Sequence, residues 1–126
     1  ISDREILRNI YAASDLFLFP SYYDNYPLVM QEAAAFKVPT VVVDGSSCAE
    51  EIRDGINGFL IENTISSMVS KMEILMGSPD ILRKAGEGAR KTIYHPWENI
   101  VDSVFERYMD LIQHRNPGKF NAVNED

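Results

Sequence analysis

Residues 16–43 read LFLFPSYYDNYPLVMQEAAAFKVPTVVV and carry the strongest fold signal in this chain. Their two apolar runs, residues 16–19 and 40–43, lack polar alternation, which is typical of strands buried on both faces of a parallel sheet. Between them, Pro27 suits the first position of a helix because its missing N–H would have no partner there, so a helix is predicted over residues 27–36. A strand, a helix and a strand within about 30 residues form a βαβ unit, whose two strands are parallel.

More helices and a further strand are predicted on either side of this unit. Apolar spacing before it predicts a helix over residues 3–13, and the run at residues 59–61 after it predicts a third short strand. Beyond that strand, apolar residues at helical spacing predict three helices, which begin near Ile65, Pro79 and Trp97. The order of these elements indicates an α/β fold built around a parallel sheet.

The composition is that of one acidic globular domain. The chain has 126 residues, with 12 Lys and Arg against 19 Asp and Glu, which gives a net charge of −7. Nucleic-acid backbones and anionic membrane surfaces are recognised mainly by clusters of Lys and Arg, so the acidic balance argues against both partners. Cys48 is the single cysteine, which excludes an internal disulfide and a cysteine-based metal cage. We expect no metal site.

The same features favour a cytoplasmic location. A single cysteine suits a reducing compartment. No run of about 18 apolar residues and no charged, apolar-cored leader occurs, so neither a membrane span nor a signal peptide is predicted. The sequence begins at Ile1 rather than Met, which we interpret as processing or as a piece of a longer protein.

The loop and helix start over residues 20–32 form the best candidate for a binding site. Ligands of open parallel sheets bind outside the carboxyl ends of the strands, where the first N–H groups of the next helix favour a phosphate. This position nominates the backbone of residues 25–29. Two acids, Asp24 and Glu32, bracket it with seven residues between them. A carboxylate beside three alanines is costly to bury without a partner, and the vicinal hydroxyls of a ribose would supply one.

Each candidate also has a plain structural interpretation. Asp24 is then a loop acid or a helix cap, and Glu32 faces solvent between neighbouring helices. Cys48 lies near a predicted helix start, where the pKa of a thiol can fall, but no histidine is close in sequence, so a structural role is favoured over a nucleophilic one. The pairing of the two acids at one edge of the predicted sheet favours a ligand site.

Residues 20–33 resemble the acidic-x7-Glu signature in the nucleotide-sugar-binding half of the family 4 glycosyltransferases, and the spacing matches without gaps. Three more segments resemble that family in the same order: the helix-to-strand lead-in at residues 12–19, the small-residue loop at 44–50 and the Asp-Gly-x-Asn-Gly turn at 50–60. The similarity covers roughly residues 1–112.

The resemblance implies a fold. Members of that family have two Rossmann-like domains in the GT-B arrangement. Residues 1–115 are therefore expected to form part of the C-terminal, nucleotide-sugar-binding domain, a Rossmann-like domain of three layers with a parallel sheet. Residues 116–126 are expected to form a polar, mobile tail. The first strands of that domain and the whole acceptor-binding domain are absent from this sequence.

The resemblance also implies a role for each site residue. The first acid of the signature contacts hydroxyls of the donor sugar, which maps to Asp24. The second binds the ribose of the nucleotide, which maps to Glu32. Backbone amides between them approach the diphosphate and the sugar, which maps to Asn25, Tyr26, Leu28 and Val29.

The implied reaction moves a hexose from a nucleoside diphosphate sugar to an acceptor with retention of anomeric configuration, without a cofactor. A UDP-sugar is the favoured donor and a GDP-sugar the alternative. The family's paired Arg and Lys lie outside this sequence, so we expect the isolated chain to be inactive. A glycan or lipid acceptor would bind through the absent domain, and a lipid would place the parent enzyme at the cytoplasmic membrane face. Two alternatives stay open: a nucleotide-sugar epimerase of GT-B type, and a non-catalytic interaction domain that kept the fold.

Overall fold

The computed structural model describes residues 3–23 and 28–115, with side chains described as far as residue 112. The predictions for Asp24, Asn25 and Tyr26, and those for residues 116–126, lie outside the described residues. By its internal contacts the chain divides after Tyr94 into two compact units. The predicted domain over residues 1–115 stays a prediction.

The described part of the first unit contains the predicted strands and helices, with boundaries within two residues of those expected. They are α1 (Arg4–Ala12), β1 (Phe17–Phe19), α2 (Leu28–Ala35), β2 (Thr40–Val43), β3 (Gly58–Ile61), α3 (Ile65–Met76) and α4 (Pro79–Thr92). A 3-10 turn, Ser47–Glu51, lies between β2 and β3. The described part of the second unit contains α5 (Trp97–Arg115). Among the described residues, no helix is both long enough and apolar enough to cross a membrane.

The three strands form one parallel sheet in the order β1-β2-β3. Thr40 of β2 lies in register with Phe17 on one side and with Gly58 on the other. All four residues of β2 are buried, as predicted for a strand covered on both faces. In β1 the prediction of full burial is wrong, because Leu18 is 42% exposed. Leu18 is exposed because β1 lies at the edge of the described sheet and α3 packs against β3 rather than against β1.

Helices cover both faces of this sheet. Val42 packs in one apolar cluster with Met30 of α2, whereas Val43 packs in another with Leu75 of α3. Neighbouring residues of a strand point to opposite faces, so α2 and α3 lie on opposite sides of β2. This arrangement of helix, sheet and helix confirms the predicted α/β fold with a parallel sheet.

Two glycines allow α4 to pack closely against loops of the first unit. A Cβ atom at Gly86 would lie 1.9 Å from the carbonyl oxygen of Lys37, and one at Gly88 would lie 2.0 Å from that of Ile56. Both distances are far below van der Waals contact. In a helix interior glycine is normally less stable than alanine. Here the absence of a side chain at both glycines lets α4 approach the backbone of Lys37 and of Ile56.

The turn that leads into β3, residues 53–58, is fixed by the side chain of Asn57. The Asn57 carboxamide oxygen accepts a hydrogen bond from the Arg53 N–H at 2.7 Å. Its nitrogen donates to the carbonyl oxygen of Glu51 at 2.9 Å and to the Thr92 hydroxyl of α4 at 2.8 Å. The resembled Asp-Gly-x-Asn-Gly motif therefore has a structural role here: it joins the turn to α4.

Candidate functional site

The first turn of α2 lies where the sheet geometry places a ligand. β1 and β2 are parallel, so α2 must run back between them and begin at the carboxyl end of β1. The first four N–H groups of a helix have no partner within the helix, and the helix dipole makes this end partly positive. Leu28 and Val29 belong to this turn, as predicted, and Leu28 is 63% exposed. Both residues contribute N–H groups to this end of the helix.

The loops that follow β1 and β2 approach each other at this edge of the sheet. The Tyr22 hydroxyl lies 3.7 Å from the position of a Cβ atom on Gly45, and Gly45 has a positive φ of 76° that favours glycine. The rings of Tyr22 and Tyr23 meet edge to face, with their centroids 5.3 Å apart. The loop that contains Tyr22 and Tyr23 and the loop that contains Gly45 thus border the predicted binding region.

The loop after β2 is anchored from inside the protein. Ser46 is buried, and its hydroxyl donates a hydrogen bond to the carbonyl oxygen of Val43 at 2.6 Å. Cys48 is fully buried in the apolar cluster that contains Met30 and Val42. A buried thiol in apolar surroundings is inert toward substrates, which supports the structural interpretation of Cys48.

Glu32 lies on α2, one turn beyond Leu28, and its side chain is exposed. The buried face of α2 consists of Met30, Ala33 and Ala34. Glu32 therefore faces solvent, as its plain structural interpretation predicts: Ala33 and Ala34 pack inward, and the carboxylate does not need a ligand to offset its desolvation. Its predicted role at a ribose stays a prediction that rests on the resemblance and on its position.

Tyr11 of α1 donates a hydrogen bond from its hydroxyl to Oε2 of Glu32, with the two oxygens 3.2 Å apart. The tyrosine is 7% exposed. Its ring stacks on Phe36 at a centroid distance of 5.9 Å and meets the Phe17 ring edge to face at 6.2 Å. Glu32 is thus tied to a side chain that aromatic packing holds in place.

This environment raises the pKa of Tyr11 from its ordinary value near 10 to about 12. Burial of the phenol is the main cause, because the interior disfavours the charged phenolate. The negative charge of Glu32 and the hydrogen bond to it act in the same direction. Tyr11 therefore keeps its proton, and with it the ability to donate to Glu32, throughout the physiological pH range.

The sequence interpretation did not assign a function to Tyr11. It occurs in the apolar stripe of α1, where tyrosine reads as a core residue. The available signal was its hydroxyl, since a buried tyrosine usually finds a hydrogen-bond partner. Which residue supplies that partner depends on how α1 packs against α2, and the sequence pattern does not contain this information.

A cavity of about 330 Å³ opens beside the carboxyl ends of the strands. It is lined by Pro20, Val43, Ile61, Glu62, Asn63, Thr64, Ile65, Met68 and Val69. A larger depression of about 660 Å³ includes Leu16 and Lys37, which precede β1 and β2, and so lies at the opposite end of the sheet. Only the first has the position expected of a ligand site in a parallel α/β sheet. Within the described residues, no group of three or more His, Cys, Asp or Glu side chains is arranged to hold a metal ion.

Residues 1–92 match the profile of a protein family described as glycosyl transferases group 1. The match covers α1 to the end of α4, and so includes Glu32, Tyr11 and the whole described sheet. It spans most of the 126 residues.

Two curated relatives illustrate the similarity. A D-inositol 3-phosphate glycosyltransferase of Rhodococcus erythropolis is 29% identical over 116 residues, which cover 90% of this chain and 26% of that protein. A UDP-Gal:alpha-D-GlcNAc-diphosphoundecaprenol alpha-1,3-galactosyltransferase of Escherichia coli is 28% identical over 114 residues, covering 86% and 29%. The chain thus spans little more than a quarter of the length of these relatives.

Solved structures share the fold. Sucrose-phosphate synthase from Thermosynechococcus elongatus superposes with a TM-score of 0.78 at 23% identity, over 89% of this chain and 29% of that one. HepE of Anabaena, solved in complex with UDP, superposes with a TM-score of 0.71 at 18% identity, over 80% and 29% of the two chains. At these identities the likeness concerns the fold alone.

Proposed function

The chain belongs to the glycosyl transferases of group 1, and from that premise we propose that it forms the donor-binding part of an enzyme that transfers a sugar from a nucleoside diphosphate sugar to an acceptor. One observation carries the proposal: the first turn of α2 begins at the carboxyl end of β1, and Glu32 stands exposed one turn further along the same helix. This arrangement supports a phosphate contact and a ribose contact on one helix.

The diphosphate would bind at the first turn of α2. These 126 residues carry a net charge of −7, so any attraction that they exert on a diphosphate must come from local groups. Backbone N–H groups and the helix dipole provide it without a basic side chain. In this proposal the contributing amides are those of Asn25, Tyr26, Leu28 and Val29.

The two acids would bind the neutral hydroxyls of the donor. Glu32 accepts hydrogen bonds from the vicinal hydroxyls of the ribose, for which an ionised carboxylate has sufficient acceptor capacity. Asp24 accepts from hydroxyls of the transferred sugar and orients it. Both residues act by binding and positioning, and neither is required to gain or lose a proton.

In the reaction, the bond between the anomeric carbon and the diphosphate oxygen breaks, and the nucleoside diphosphate leaves with the bonding electrons. The acceptor hydroxyl oxygen forms the new bond to the anomeric carbon, and its proton passes to the oxygen of the leaving diphosphate. We propose transfer of a hexose with retention of configuration and without a cofactor or metal. Stabilising the charge of the leaving diphosphate is commonly the largest catalytic term in such steps, and here the helix amides supply part of it.

A uridine nucleotide is the favoured donor, with a guanosine nucleotide as the alternative. HepE of Anabaena has been solved with UDP and with UDP-glucose, and the name of the Escherichia coli relative specifies UDP-Gal. The acceptor, a glycan or a lipid, would bind to a part of the enzyme outside this sequence. We propose a cytoplasmic location, at the membrane face if the acceptor is a lipid.

Titration of the chain with UDP-glucose and with GDP-glucose, followed by amide chemical shifts, tests the donor proposal. We expect shifts concentrated in the first turn of α2, and tighter binding of the uridine nucleotide. Glu32→Ala should weaken UDP-glucose binding roughly tenfold or more, since hydrogen bonds to a charged acceptor are lost. Glu73→Ala is the matched control, because it removes an exposed acid from α3.

The outcomes separate the parts of this proposal. Absence of binding of both nucleotide sugars would contradict donor binding. Equal affinity of the wild type, Glu32→Ala and Glu73→Ala would contradict the ribose contact. A transfer assay with the isolated chain should give no product, and sugar transfer by the chain alone would show that the missing basic pair and acceptor domain are dispensable.

A further inference from the structure

Glu32 is an exposed carboxylate, and exposed glutamates normally sample many side-chain conformations. A residue that must meet two hydroxyls of one ring gains affinity when its carboxylate is held in the binding geometry before the ligand arrives. The described surroundings of Glu32 contain one group that can do this, the hydroxyl of Tyr11 at 3.2 Å from Oε2.

Tyr11 is itself unusually well fixed. It is buried, it stacks nearly parallel to the Phe36 ring with an interplanar angle of 15°, and it meets the Phe17 ring at 75°. Ala33, the residue next to Glu32, packs in the same apolar cluster as Tyr11. Tyr11, which donates the hydrogen bond, and α2, which carries Glu32, are therefore packed in the same apolar cluster.

We propose that Tyr11 is a positioning residue, which holds the Glu32 carboxylate in the orientation that receives the ribose hydroxyls of the donor. The inference rests on the proposed role of Glu32 and adds a residue from α1 to that site. An ionised carboxylate has about four acceptor positions, so the bond from Tyr11 leaves capacity for both ribose hydroxyls. Tyr11 touches no reacting atom and acts through Glu32.

The protonation of Tyr11 supports this role. Its pKa of about 12, raised chiefly by burial, keeps the hydroxyl protonated throughout the physiological pH range. Tyr11 can therefore donate its hydrogen bond to Glu32 under the conditions in which a nucleotide would bind.

The first experiment needs no ligand. Tyr11→Phe keeps the aromatic packing and removes only the hydroxyl. We expect side-chain order at the Glu32 Cγ methylene, measured by NMR relaxation, to fall in this variant. Tyr94→Phe is the matched control, because it removes a hydroxyl from a tyrosine whose ring packs against Arg90, 3.9 Å from the ring centroid. Unchanged order at Glu32 in Tyr11→Phe would overturn the proposal, whatever happens to nucleotide binding.

The second experiment is a double-mutant cycle with UDP as the probe. Tyr11→Phe should weaken UDP binding about three- to tenfold, the range expected for one hydrogen bond, while Tyr94→Phe leaves the affinity unchanged. In the Glu32→Ala background, Tyr11→Phe should have no further effect. With 2′,3′-dideoxyuridine diphosphate, which lacks both ribose hydroxyls, the loss caused by Tyr11→Phe should also disappear.

The cycle distinguishes failure of this inference from failure of the proposed function. If Tyr11→Phe weakens UDP binding equally with and without Glu32, Tyr11 acts through the fold and the positioning role is wrong. If Glu32→Ala weakens binding and Tyr11→Phe does not, Glu32 binds the ribose without help and the positioning role is again wrong. If Glu32→Ala has no effect on UDP binding, the ribose contact fails and the positioning role fails with it.

Discussion

Asn57 and Glu32 are polar residues in two segments that resemble the same family, yet their surroundings differ in kind. Asn57 is 2% exposed, and its carboxamide makes three hydrogen bonds within the first unit. Glu32 is exposed, and Tyr11 is its described partner. A buried amide whose bonds are satisfied internally stabilises the fold. An exposed carboxylate held by a single donor retains acceptor capacity for a ligand.

The difference shows that resemblance to a motif does not assign its purpose. The 53–58 turn and the residue 20–33 segment both match the family pattern. Burial and hydrogen bonding separate a turn that joins β3 to α4 from a helix that presents a carboxylate. Variants of the two regions should accordingly differ: those of the turn change the free energy of unfolding, and those of the Glu32 site change nucleotide binding.

The largest effect is expected from Gly88→Ala. The added Cβ would meet the carbonyl oxygen of Ile56 at 2.0 Å, so α4 must move away from the 53–58 turn. We expect the free energy of unfolding to fall by at least about 3 kcal/mol, measured by urea denaturation. Gly77→Ala is the control, since its Cβ would lie 3.7 Å from the nearest carbonyl oxygen, and it should change stability little. Similar stabilities of the two variants would contradict the close packing of α4.

Asn57→Ala should be the next most destabilising change. It removes three hydrogen bonds and leaves the Arg53 N–H and the Glu51 carbonyl oxygen without the partner that the buried Asn57 side chain supplies. The expected loss is about 2 kcal/mol of unfolding free energy. Thr92→Val removes the hydroxyl that accepts from Asn57 and donates to the carbonyl oxygen of Gly88, one turn earlier in the same helix, and should cost less. If Asn57→Ala lowers the free energy of unfolding no more than Thr92→Val does, the hydrogen bonds from Asn57 to Arg53 and Glu51 do not stabilise the turn as expected.

The contact between Tyr11 and Glu32 should make the free energy of unfolding depend on pH only in the alkaline range. The pKa of Tyr11 is near 10 in the unfolded chain and about 12 in the folded one. The stabilisation linked to this shift is therefore complete below pH 10 and is lost as the pH rises through 12. The loss amounts to roughly 1 kcal/mol by pH 11.

Comparing the wild type with Tyr11→Phe isolates this titration, because the variant has no hydroxyl at that position. Between pH 9 and pH 11 the unfolding free energy of the wild type should fall by roughly 1 kcal/mol relative to that of Tyr11→Phe. Chemical denaturation at both pH values measures it. A pH-independent difference would mean that neither burial nor the contact with Glu32 raises the pKa of the Tyr11 phenol as described.

The smallest effect is expected from Lys71→Ala, which removes the ion pair with Asp54 of the turn at 3.2 Å. Half of the Asp54 side chain is exposed, so solvent screens the pair. We expect a loss of about 0.5 kcal/mol that decreases further at high salt. A cost equal to that of Asn57→Ala would show that the turn depends on surface charge as much as on its buried amide.

Much of the fold was predictable because local pattern and connection length carry it. The unbroken apolar run of β2 indicated burial on both faces, and the helix between β1 and β2 required parallel pairing. The candidate site was less predictable, because the sequence indicates where its residues lie along the chain but not what surrounds them. Leu28 and Val29 lie at the start of α2 as expected, but the sequence left open whether Glu32 is buried or faces solvent, and the structure places it in solvent.

An apolar pattern in the sequence does not state which residues a neighbouring element covers. Helical spacing of apolar residues predicted α1, which contains Ile6, Ile10 and Tyr11, and α3, which begins at Ile65. Ile6, Ile10 and Ile65 are exposed, whereas Tyr11 is buried. Periodicity states which residues share a face of a helix. It does not state whether another element covers that face.

The sequence by itself determined the order of strands and helices, the parallel sheet and the resemblance to a glycosyltransferase family, because these depend on periodicity, turn chemistry and spacing along the chain. Only the tertiary structure decided that Gly88 is a point of contact with the turn, that Asn57 joins that turn to α4, and that Tyr11 holds Glu32. Each of these depends on two segments distant in sequence meeting within a few ångströms, and no local pattern encodes that distance.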